Sequence, residues 1–255
     1  MNFVSNFCTD VGITKRVNQD SLCIKQAQTS QGKILMAVIC DGMGGMKSGE
    51  IASAMTVSAF SDWFLKELPT LLNDNLTEVI EQQWNKLIIT SNEKIRQYGI
   101  EHDIQLGTTV TAVLILENGI CYLSHVGDTR LYMINQKTEQ ITEDQTLVAR
   151  EVRDGIITAE QAIADSRRSI LLQCVGVSEK VYPFFGTYTY TAGMSFLLCT
   201  DGFWHGFEQN RMQYYCERKS WTSMEIEETL RFIVEQNKKN GEKDNITAIL
   251  IDARE

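Results

Sequence analysis

Short strand-like segments follow one another along most of this chain, with little helix between them. They are apolar, rich in β-branched residues, and occur at 21–25, 34–40, 109–116, 120–125, 130–135, 182–189, 194–199 and 246–251. Parallel sheets need strands that alternate with helices, whereas strands grouped in series favour antiparallel sheets with helices packed outside them. The order of the segments therefore predicts an α+β fold built on antiparallel sheets.

Helical patterns interrupt this series at only a few places. The segment from about 76 to 98 has apolar residues at three- and four-residue spacing, which predicts a helix with one stripe against a core. Further helices are predicted at about 49–68 and at 223–239. Two short helical patterns surround Asp154 and Gly155, and the region 145–175 is either a mobile flap near a site or an ordinary surface insertion.

Linker composition gives no sign of a second domain. The 255 residues contain two prolines and no Gly/Ser-rich or low-complexity stretch. Such stretches mark most domain boundaries. We therefore predict one domain over residues 1–255.

Charge and hydropathy exclude several classes of function. The longest apolar run, 34–40, is far shorter than the roughly 20 residues that cross a bilayer, and the N-terminus has no signal-peptide pattern. The net charge of −9 disfavours binding to a nucleic-acid backbone, which requires clustered Lys and Arg. Seven widely spread cysteines without a C-x-x-C pair indicate reduced thiols rather than disulfides or zinc. We expect a cytoplasmic protein with neither membrane nor nucleic-acid partners.

Carboxylates beside glycine end three of the buried-looking strands, and a fourth carboxylate opens the last one: Asp41-Gly42, Gly127-Asp128, Asp201-Gly202 and Asp244. A single Asp-Gly pair is a common turn signal, but four at strand ends are harder to assign to turns alone. Carboxylates brought together would repel one another unless cations neutralise them. Two divalent ions suit phosphate-ester hydrolysis because they clamp the phosphate and activate a water.

Other phosphate chemistries fit the sequence less well. The segment 41–48 resembles a phosphate-binding P-loop, but Met46 stands where that motif needs glycine. No cysteine has an arginine six residues later, and there is no Asp-x-Asp pair. The histidines at 102, 125 and 205 lack zinc-protease spacing, and we interpret them as structural or exposed.

An ordered set of motifs covers nearly the whole chain. It consists of Thr9-Asp10-Val11-Gly12, Asn18-Gln19-Asp20, Asp41-Gly42-Met43-Gly44-Gly45, Gly107-Thr108-Thr109, Val126-Gly127-Asp128-Thr129-Arg130, Thr200-Asp201-Gly202 and Asp244-Asn245-Ile246-Thr247. In this order they resemble the protein phosphatase 2C family, the metal-dependent PPM serine/threonine phosphatases, in their compact bacterial form. The resemblance implies an antiparallel β-sandwich flanked by helices on both faces, in α-β-β-α layers, with a metal cleft at one end.

The resemblance also implies a set of metal ligands. Asp41, Asp201 and Asp244 would hold the first ion, and Asp41 with the carbonyl of Gly42 would hold the second. The ions would be manganese or magnesium. Glycines after Asp41 have a physical reason as well, because they permit close backbone approach to a cation.

Two further aspartates belong to the implied site. Asp20 would act mainly through metal-bound waters, and Asp128 with Asp201 resembles the family's weaker third-metal site. The resemblance thus gives a predicted catalytic set of Asp20, Asp41, Asp201 and Asp244, and the predicted metal-binding set adds Gly42 and Asp128.

Three positions depart from the family pattern. Lys15, followed by Arg16, stands where the family usually has an arginine that grips the substrate phosphate, and lysine lacks the bidentate fork of arginine. Gln145 replaces a frequent histidine, and Met43 replaces a histidine found in many eukaryotic members. Neither an amide nor a thioether donates a proton at neutral pH, so a metal-bound water is the preferred leaving-group acid.

The leading hypothesis is a phosphoprotein phosphatase in which a metal-bridging hydroxide attacks phosphoserine or phosphothreonine. Lys15 or Arg16 would hold the phosphate oxygens. The partners of the protein would be phosphorylated proteins, and its activity would oppose that of a serine/threonine kinase. We expect the protein to be a monomer. Two alternatives stay open: a catalytically silent regulator that binds phosphoproteins, and a hydrolase of small phosphate esters, since the metal site selects the bond but not the substrate.

Overall fold

The computed structural model describes residues 1–44, 48–72, 76–206, 209–216 and 221–254, with only the backbone described at 209–211. The strands are β1 (Asn2–Asp10), β2 (Ser21–Thr29), β3 (Gly32–Cys40), β4 (Gly42–Gly44), β5 (Leu106–Thr108), β6 (Val110–Leu116), β7 (Ile120–Val126), β8 (Arg130–Ile134), β9 (Thr138–Gln140), β10 (Phe184–Thr189), β11 (Ser195–Cys199) and β12 (Ile246–Arg254). The helices are α1 (Gly49–Lys66), α2 (Leu68–Leu71), α3 (Leu76–His102), α4 (Leu147–Arg153), α5 (Ala159–Ala164), α6 (Asp201–Trp204), α7 (Gln209–Cys216) and α8 (Ser223–Lys239).

Two five-stranded sheets form the centre of the molecule. Their strand orders are β1-β12-β11-β8-β9 and β10-β7-β6-β3-β2, and neighbouring strands pair antiparallel in both. Alternate residues of β3 show why the sheets are layered. Leu35 and Ile39 join a buried cluster with Leu198 and Ile249 of the other sheet, whereas Met36 joins a different cluster with residues of α1 and α3. The antiparallel sandwich is confirmed.

Helices cover both outer faces of the sandwich. Helices α1 and α3 pack on the sheet that contains β3, with Phe60 and Trp84 in edge-to-face contact. Helix α8 packs on the other sheet through a buried face that includes Leu230 and Ile233. It begins at a capping box in which Thr222 and Glu225 satisfy each other's backbone amides. The α-β-β-α layers and the predicted helix at 223–239 are confirmed.

Several boundaries differ from the sequence interpretation. Strand β1 was not expected, because only Phe3 and Cys8 of its nine residues are buried and its apolar pattern is weak. It pairs along its whole length with β12. The first predicted helix ends at Lys66, and α2 follows it with Pro69 in its first turn, where proline is tolerated. Helix α3 continues four residues beyond position 98.

Two expectations from composition can be compared with the structure. Six of the seven cysteines are buried, and Cys23 is half-buried. Among the described residues, no helix combines the length and apolar character that a membrane crossing requires.

Candidate metal centre and active site

Strand pairing brings five aspartates to one end of the sandwich. Asp20 precedes β2 and Asp41 follows β3, and these strands place Ser21 opposite Cys40. Asp201 follows β11 and Asp244 lies two residues before β12, and these strands place Cys199 opposite Ala248. Asp128 lies in the turn between β7 and β8, which belong to different sheets. We call these five residues the aspartate end.

The aspartate end is strongly unfavourable for ionised carboxylates. Burial raises the pKa of Asp20 to about 7, with the charges of Asp201 and Asp244 adding to the effect. Burial also raises the pKa of Asp41 well above its ordinary value, and all four other aspartates act in the same direction. Burial is also the main cause that raises the pKa values of Asp128 and Asp201. A site of this kind favours a compensating positive charge.

Asp20 is held in place by two threonines from the other sheet. Its Oδ2 atom accepts hydrogen bonds from Thr247 Oγ1 at 2.6 Å and from Thr200 Oγ1 at 3.1 Å. Thr247 Oγ1 is also 2.8 Å from the hydroxyl of Thr9. Asp20 Oδ1 is buried without a hydrogen-bond partner, and so is Asp201 Oδ1. The structure therefore fixes one oxygen of Asp20 and leaves the other free to bind something else.

The backbone after Asp41 is packed so closely that only glycine fits. The Asp41 amide donates to Thr109 Oγ1, and the Asp41 carbonyl accepts from the Thr109 amide, both at 2.9 Å. The same carbonyl also accepts a hydrogen bond from Thr108 Oγ1. A Cβ atom on Gly42 would lie 2.3 Å from the carbonyl oxygens of Gln19 and Gly49. Contacts this short are not compatible with a side chain. The glycine at 42 thus lets the Asp41 turn sit against the chain that precedes Asp20.

Asp128 is surrounded by interactions that the sequence did not indicate. Trp204 Nε1 donates to the Asp128 carbonyl at 3.3 Å, and the Trp204 ring lies 3.3 Å from Arg130 Cζ. Arg130 forms two hydrogen bonds with the Asp144 carboxylate, at 2.6 and 2.9 Å. Gln145 Oε1 accepts from the Gly127 amide at 3.0 Å. These residues connect the turn at Asp128 to α6 and to the region after residue 144.

The two predicted phosphate-binding cations differ in position. Lys15 Nζ is 2.7 Å from Asp244 Oδ1, so this side chain reaches the aspartate end. Burial alone would lower the pKa of Lys15, but the hydrogen bond and charge of Asp244 raise it overall. Arg16 is exposed.

The histidines also differ from one another. His125 is buried, contacts Thr111 Oγ1 and the Glu143 carbonyl through its two ring nitrogens, and burial lowers its pKa to about 4. His205 Nδ1 lies 3.9 Å from carboxylate oxygens of Asp201 and Glu242. His102 is exposed at the end of α3. Of these three histidines, His205 is the one whose ring lies near a carboxylate of the aspartate end.

The donor chemistry of the aspartate end fits hard divalent cations. As the side chains stand, no three His, Cys, Asp or Glu residues within the described ranges form a ready metal-binding group, and Lys15 pairs with Asp244. The potential ligands are nevertheless all oxygens, as magnesium and manganese prefer. Two of those oxygens, on Asp20 and Asp201, are buried without a hydrogen-bond partner, and such atoms either bind a ligand or carry a large desolvation cost.

Comparisons with known proteins identify the family of this chain. The family model described as protein phosphatase 2C matches residues 13–250. The chain is 33% identical over 251 residues to "Serine/threonine phosphatase stp" of Listeria monocytogenes, which covers 97% of this chain and 95% of that protein. The chain therefore belongs to the protein phosphatase 2C family.

Solved structures agree with this assignment. A crystal structure of a bacterial serine phosphatase is 29% identical and superimposes with a TM-score of 0.85, covering 98% of this chain and 97% of that one. The catalytic domain of the serine/threonine protein phosphatase PstP, in complex with two manganese ions, is 25% identical with a TM-score of 0.80 and covers both chains completely. The fold and the family thus rest on the full length of the chain.

Proposed function

We propose that this protein is a metal-dependent phosphatase that hydrolyses phosphoserine and phosphothreonine in proteins. The observation that carries the proposal is the aspartate end, where five acids from both sheets meet and Asp20 and Asp201 each present a buried oxygen without a partner. Phosphate-ester hydrolysis is the activity of the named relatives, and a site of buried carboxylates beside Lys15 suits it.

Different residues of the aspartate end would bind different divalent cations. Asp41, Asp201 and Asp244 would hold one divalent ion, and Asp41 with the Gly42 carbonyl would hold a second. Asp128, together with Asp201, would form a weaker third site. Manganese or magnesium bound there would supply a Lewis acid for the phosphate and an activated water.

Residues outside the ligand set position that machinery. The threonine hydroxyls of Thr200 and Thr247 hold Asp20 by one oxygen, so the other oxygen keeps a fixed direction. Trp204 joins α6, which begins at Asp201, to the carbonyl of Asp128. Supporting contacts of this kind orient ligands and adjust their affinity for a metal.

Lys15 and Arg16 would bind the phosphate oxygens of the substrate. Lys15 reaches the aspartate end, since its ammonium group pairs with Asp244. Arg16, next to it and exposed, offers a bidentate fork to a phosphate outside the cluster. The substrates would be phosphorylated proteins modified by a serine/threonine kinase, and the protein would act as a cytoplasmic monomer.

A substrate and metal panel tests the proposal. Initial rates are measured with a phosphothreonine peptide, a phosphotyrosine peptide, p-nitrophenyl phosphate and a nucleoside monophosphate, each with manganese, magnesium or chelator. Manganese-dependent hydrolysis that favours the phosphothreonine peptide is the expected result. Preference for the nucleotide would indicate a small-ester hydrolase, and binding of phosphopeptide without turnover would indicate a silent regulator.

A further inference from the structure

Asn245 makes an unusual set of contacts for a residue next to a predicted metal ligand. It is 3% exposed. Its Oδ1 atom accepts the backbone amide of Gln19 at 2.9 Å, and its Nδ2 group donates to the carbonyls of Val11 at 2.9 Å and Val17 at 3.2 Å. All three partners belong to the segment 11–19 between β1 and β2, which we call the cation loop because it carries Lys15 and Arg16.

The cation loop has other contacts near its ends, including hydrogen bonds from Asn18 Nδ2 to Thr9 Oγ1 at 2.7 Å and from Ser53 Oγ to the Gln19 carbonyl at 2.6 Å. Residues 13–17 are exposed. Thr14 Oγ1 donates to the Lys243 carbonyl at 2.5 Å, and a Cβ atom on Gly12 would lie 2.1 Å from the Asp244 carbonyl oxygen. The loop therefore rests on the backbone of 243–245. Within the described residues, Asn245 is the side chain that forms hydrogen bonds with the cation loop both before Lys15 and after Arg16.

The chemistry of the amide explains why asparagine suits this position. One side chain must offer an acceptor to Gln19 and two donors to carbonyls, and a carboxamide does both from a single plane. Alanine would leave the backbone groups of Val11, Val17 and Gln19 without this partner, and each loses a hydrogen bond. The substitution should not move the main chain of residue 245, because the carbonyl of that residue packs against Gly202.

We propose that Asn245 is a positioning residue that sets the cation loop against the aspartate end, so that Lys15 and Arg16 meet a phosphate held near Asp244. The inference rests on the proposed function for its kinetic consequence, because it concerns how the substrate phosphate is gripped. It does not depend on that function for its structural consequence, which is the order of the cation loop itself.

The test compares Asn245→Ala with a matched control elsewhere in the fold. Asn92 is equally buried, at 1% exposure, and makes the same kind of contacts. Its Oδ1 accepts the Gly176 amide at 2.7 Å, and its Nδ2 group donates to the carbonyls of Ser178 and Glu179. The loop that it holds, 176–179, carries no predicted site residue, so Asn92→Ala removes comparable bonds without touching the cation loop.

Two readouts separate positioning from general destabilisation. Amide hydrogen exchange should accelerate in 11–19 for Asn245→Ala and in 176–179 for Asn92→Ala. With manganese and a phosphothreonine peptide, Asn245→Ala should raise KM about tenfold while kcat stays within about twofold, whereas Asn92→Ala should leave KM unchanged. In a Lys15→Ala/Arg16→Ala background, adding Asn245→Ala should not raise KM further, because the groups that it positions are absent.

Three results would overturn the proposal. They are wild-type exchange of 11–19 in Asn245→Ala, an equal KM rise in Asn92→Ala, and a KM rise that persists without Lys15 and Arg16. If Asn245→Ala does not fold, Asn245→Asp keeps the acceptor for Gln19 and tests the two donated bonds by the same criteria. A wild-type protein without turnover would refute the proposed function, and the exchange readout would still decide the fate of the loop contact.

Discussion

The aspartate end and the 145–175 segment lie next to each other along the fold but are built in opposite ways. The aspartates lie where core strands of both sheets end, with Asp128 buried and the other four half-buried, and their neighbours Thr200 and Thr247 are completely buried. In the 145–175 segment, α5 has no buried residue and α4 buries only Val148. Arg167 holds this segment through ion pairs with Glu151 and Asp165, and Arg167 itself is 43% exposed.

This difference predicts which substitutions should affect function and stability most. Buried polar groups with fixed partners lose a large interaction when one member is removed, because water cannot replace it. Exposed ion pairs are screened and contribute little to stability. We therefore expect changes at the aspartate end to alter function strongly and changes in the 145–175 segment to alter mainly local order. Four experiments test this comparison.

The largest effect is expected for Asp201→Asn, which removes one charge without changing shape. Manganese-dependent turnover should fall by at least about a hundredfold, since a proposed metal ligand is lost. Stability in chelator should not fall, because the change removes repulsion among buried carboxylates. Steady-state rates and thermal unfolding check both parts.

The matched control is Asp252→Asn. Asp252 is more deeply buried than Asp201, at 1% exposure, but lies away from the aspartate end and bonds to Arg254 Nε at 2.9 Å. Its replacement should lower the free energy of unfolding by about 1–3 kcal/mol, because Arg254 loses a charged acceptor, and turnover should persist. Wild-type turnover in Asp201→Asn would remove that residue from the ligand set.

The next effect compares two glycines, one in the cation loop beside the aspartate end and one in the 145–175 segment. Gly12 and Gly155 have φ values of +76° and +71°, so alanine at either costs about 1 kcal/mol in backbone strain. No atom lies within 4 Å of a Cβ on Gly155, whereas a Cβ on Gly12 would collide with the Asp244 carbonyl. Gly12→Ala should therefore lose more stability in urea unfolding and also raise KM. Equal behaviour of the two variants would contradict this close packing.

A smaller effect is expected for Thr247→Val, which removes the hydroxyl bonded to Asp20 Oδ2 and keeps the side-chain shape. The manganese concentration at half-maximal activity should rise about tenfold, because supporting bonds adjust metal affinity. The increase in Tm that manganese produces should shrink as well. Thr56→Val is the control, since Thr56 is equally buried but bonds only to the Ala52 carbonyl in α1; a similar loss of manganese affinity there would refute the role of Thr247.

The fold was predictable where local pattern and burial agree. Helix α8 follows from its apolar spacing and its capping residues, and β3 follows from an unbroken apolar run. Strand β1 was missed because it buries little and its hydrogen bonds go to β12, about as far away in the chain as possible. No local pattern encodes a partner at that separation.

The site was predictable only as a set of aspartates. Asp41, Asp128 and Asp201 lie beside glycine at strand ends, and strand pairing brings the strand ends together. The supporting side chains could not be inferred, because their contacts are long-range: Asn245 with Val11 spans 234 positions, and Trp204 with Asp128 spans 76. Asn245 does have a weak signal in the sequence, its place in the motif with Asp244. The roles of Lys15 and Arg16 remain predictions.

The smallest effect is expected for Arg167→Ala in the 145–175 segment. The guanidinium bonds to both Glu151 oxygens at 2.8 and 3.0 Å and to Asp165 Oδ2 at 2.7 Å. Its removal should accelerate hydrogen exchange over 151–168 without changing manganese affinity or hydrolysis of p-nitrophenyl phosphate, because no partner belongs to the aspartate end. Arg167→Lys, which keeps the charge but not the fork, should lie between the variant and the wild type.

The same variant decides between the two interpretations of this segment. If it is a flap over the site, Arg167→Ala should change KM for a phosphothreonine peptide while the small ester is unaffected, since only a large substrate would touch it. If it is a surface insertion, both substrates should behave as in the wild type. A loss of manganese affinity would show that the 145–175 segment and the aspartate end are not independent. The hydrogen bonds that join Gln145 to Gly127 and Leu172 would then transmit order from the segment to Asp128.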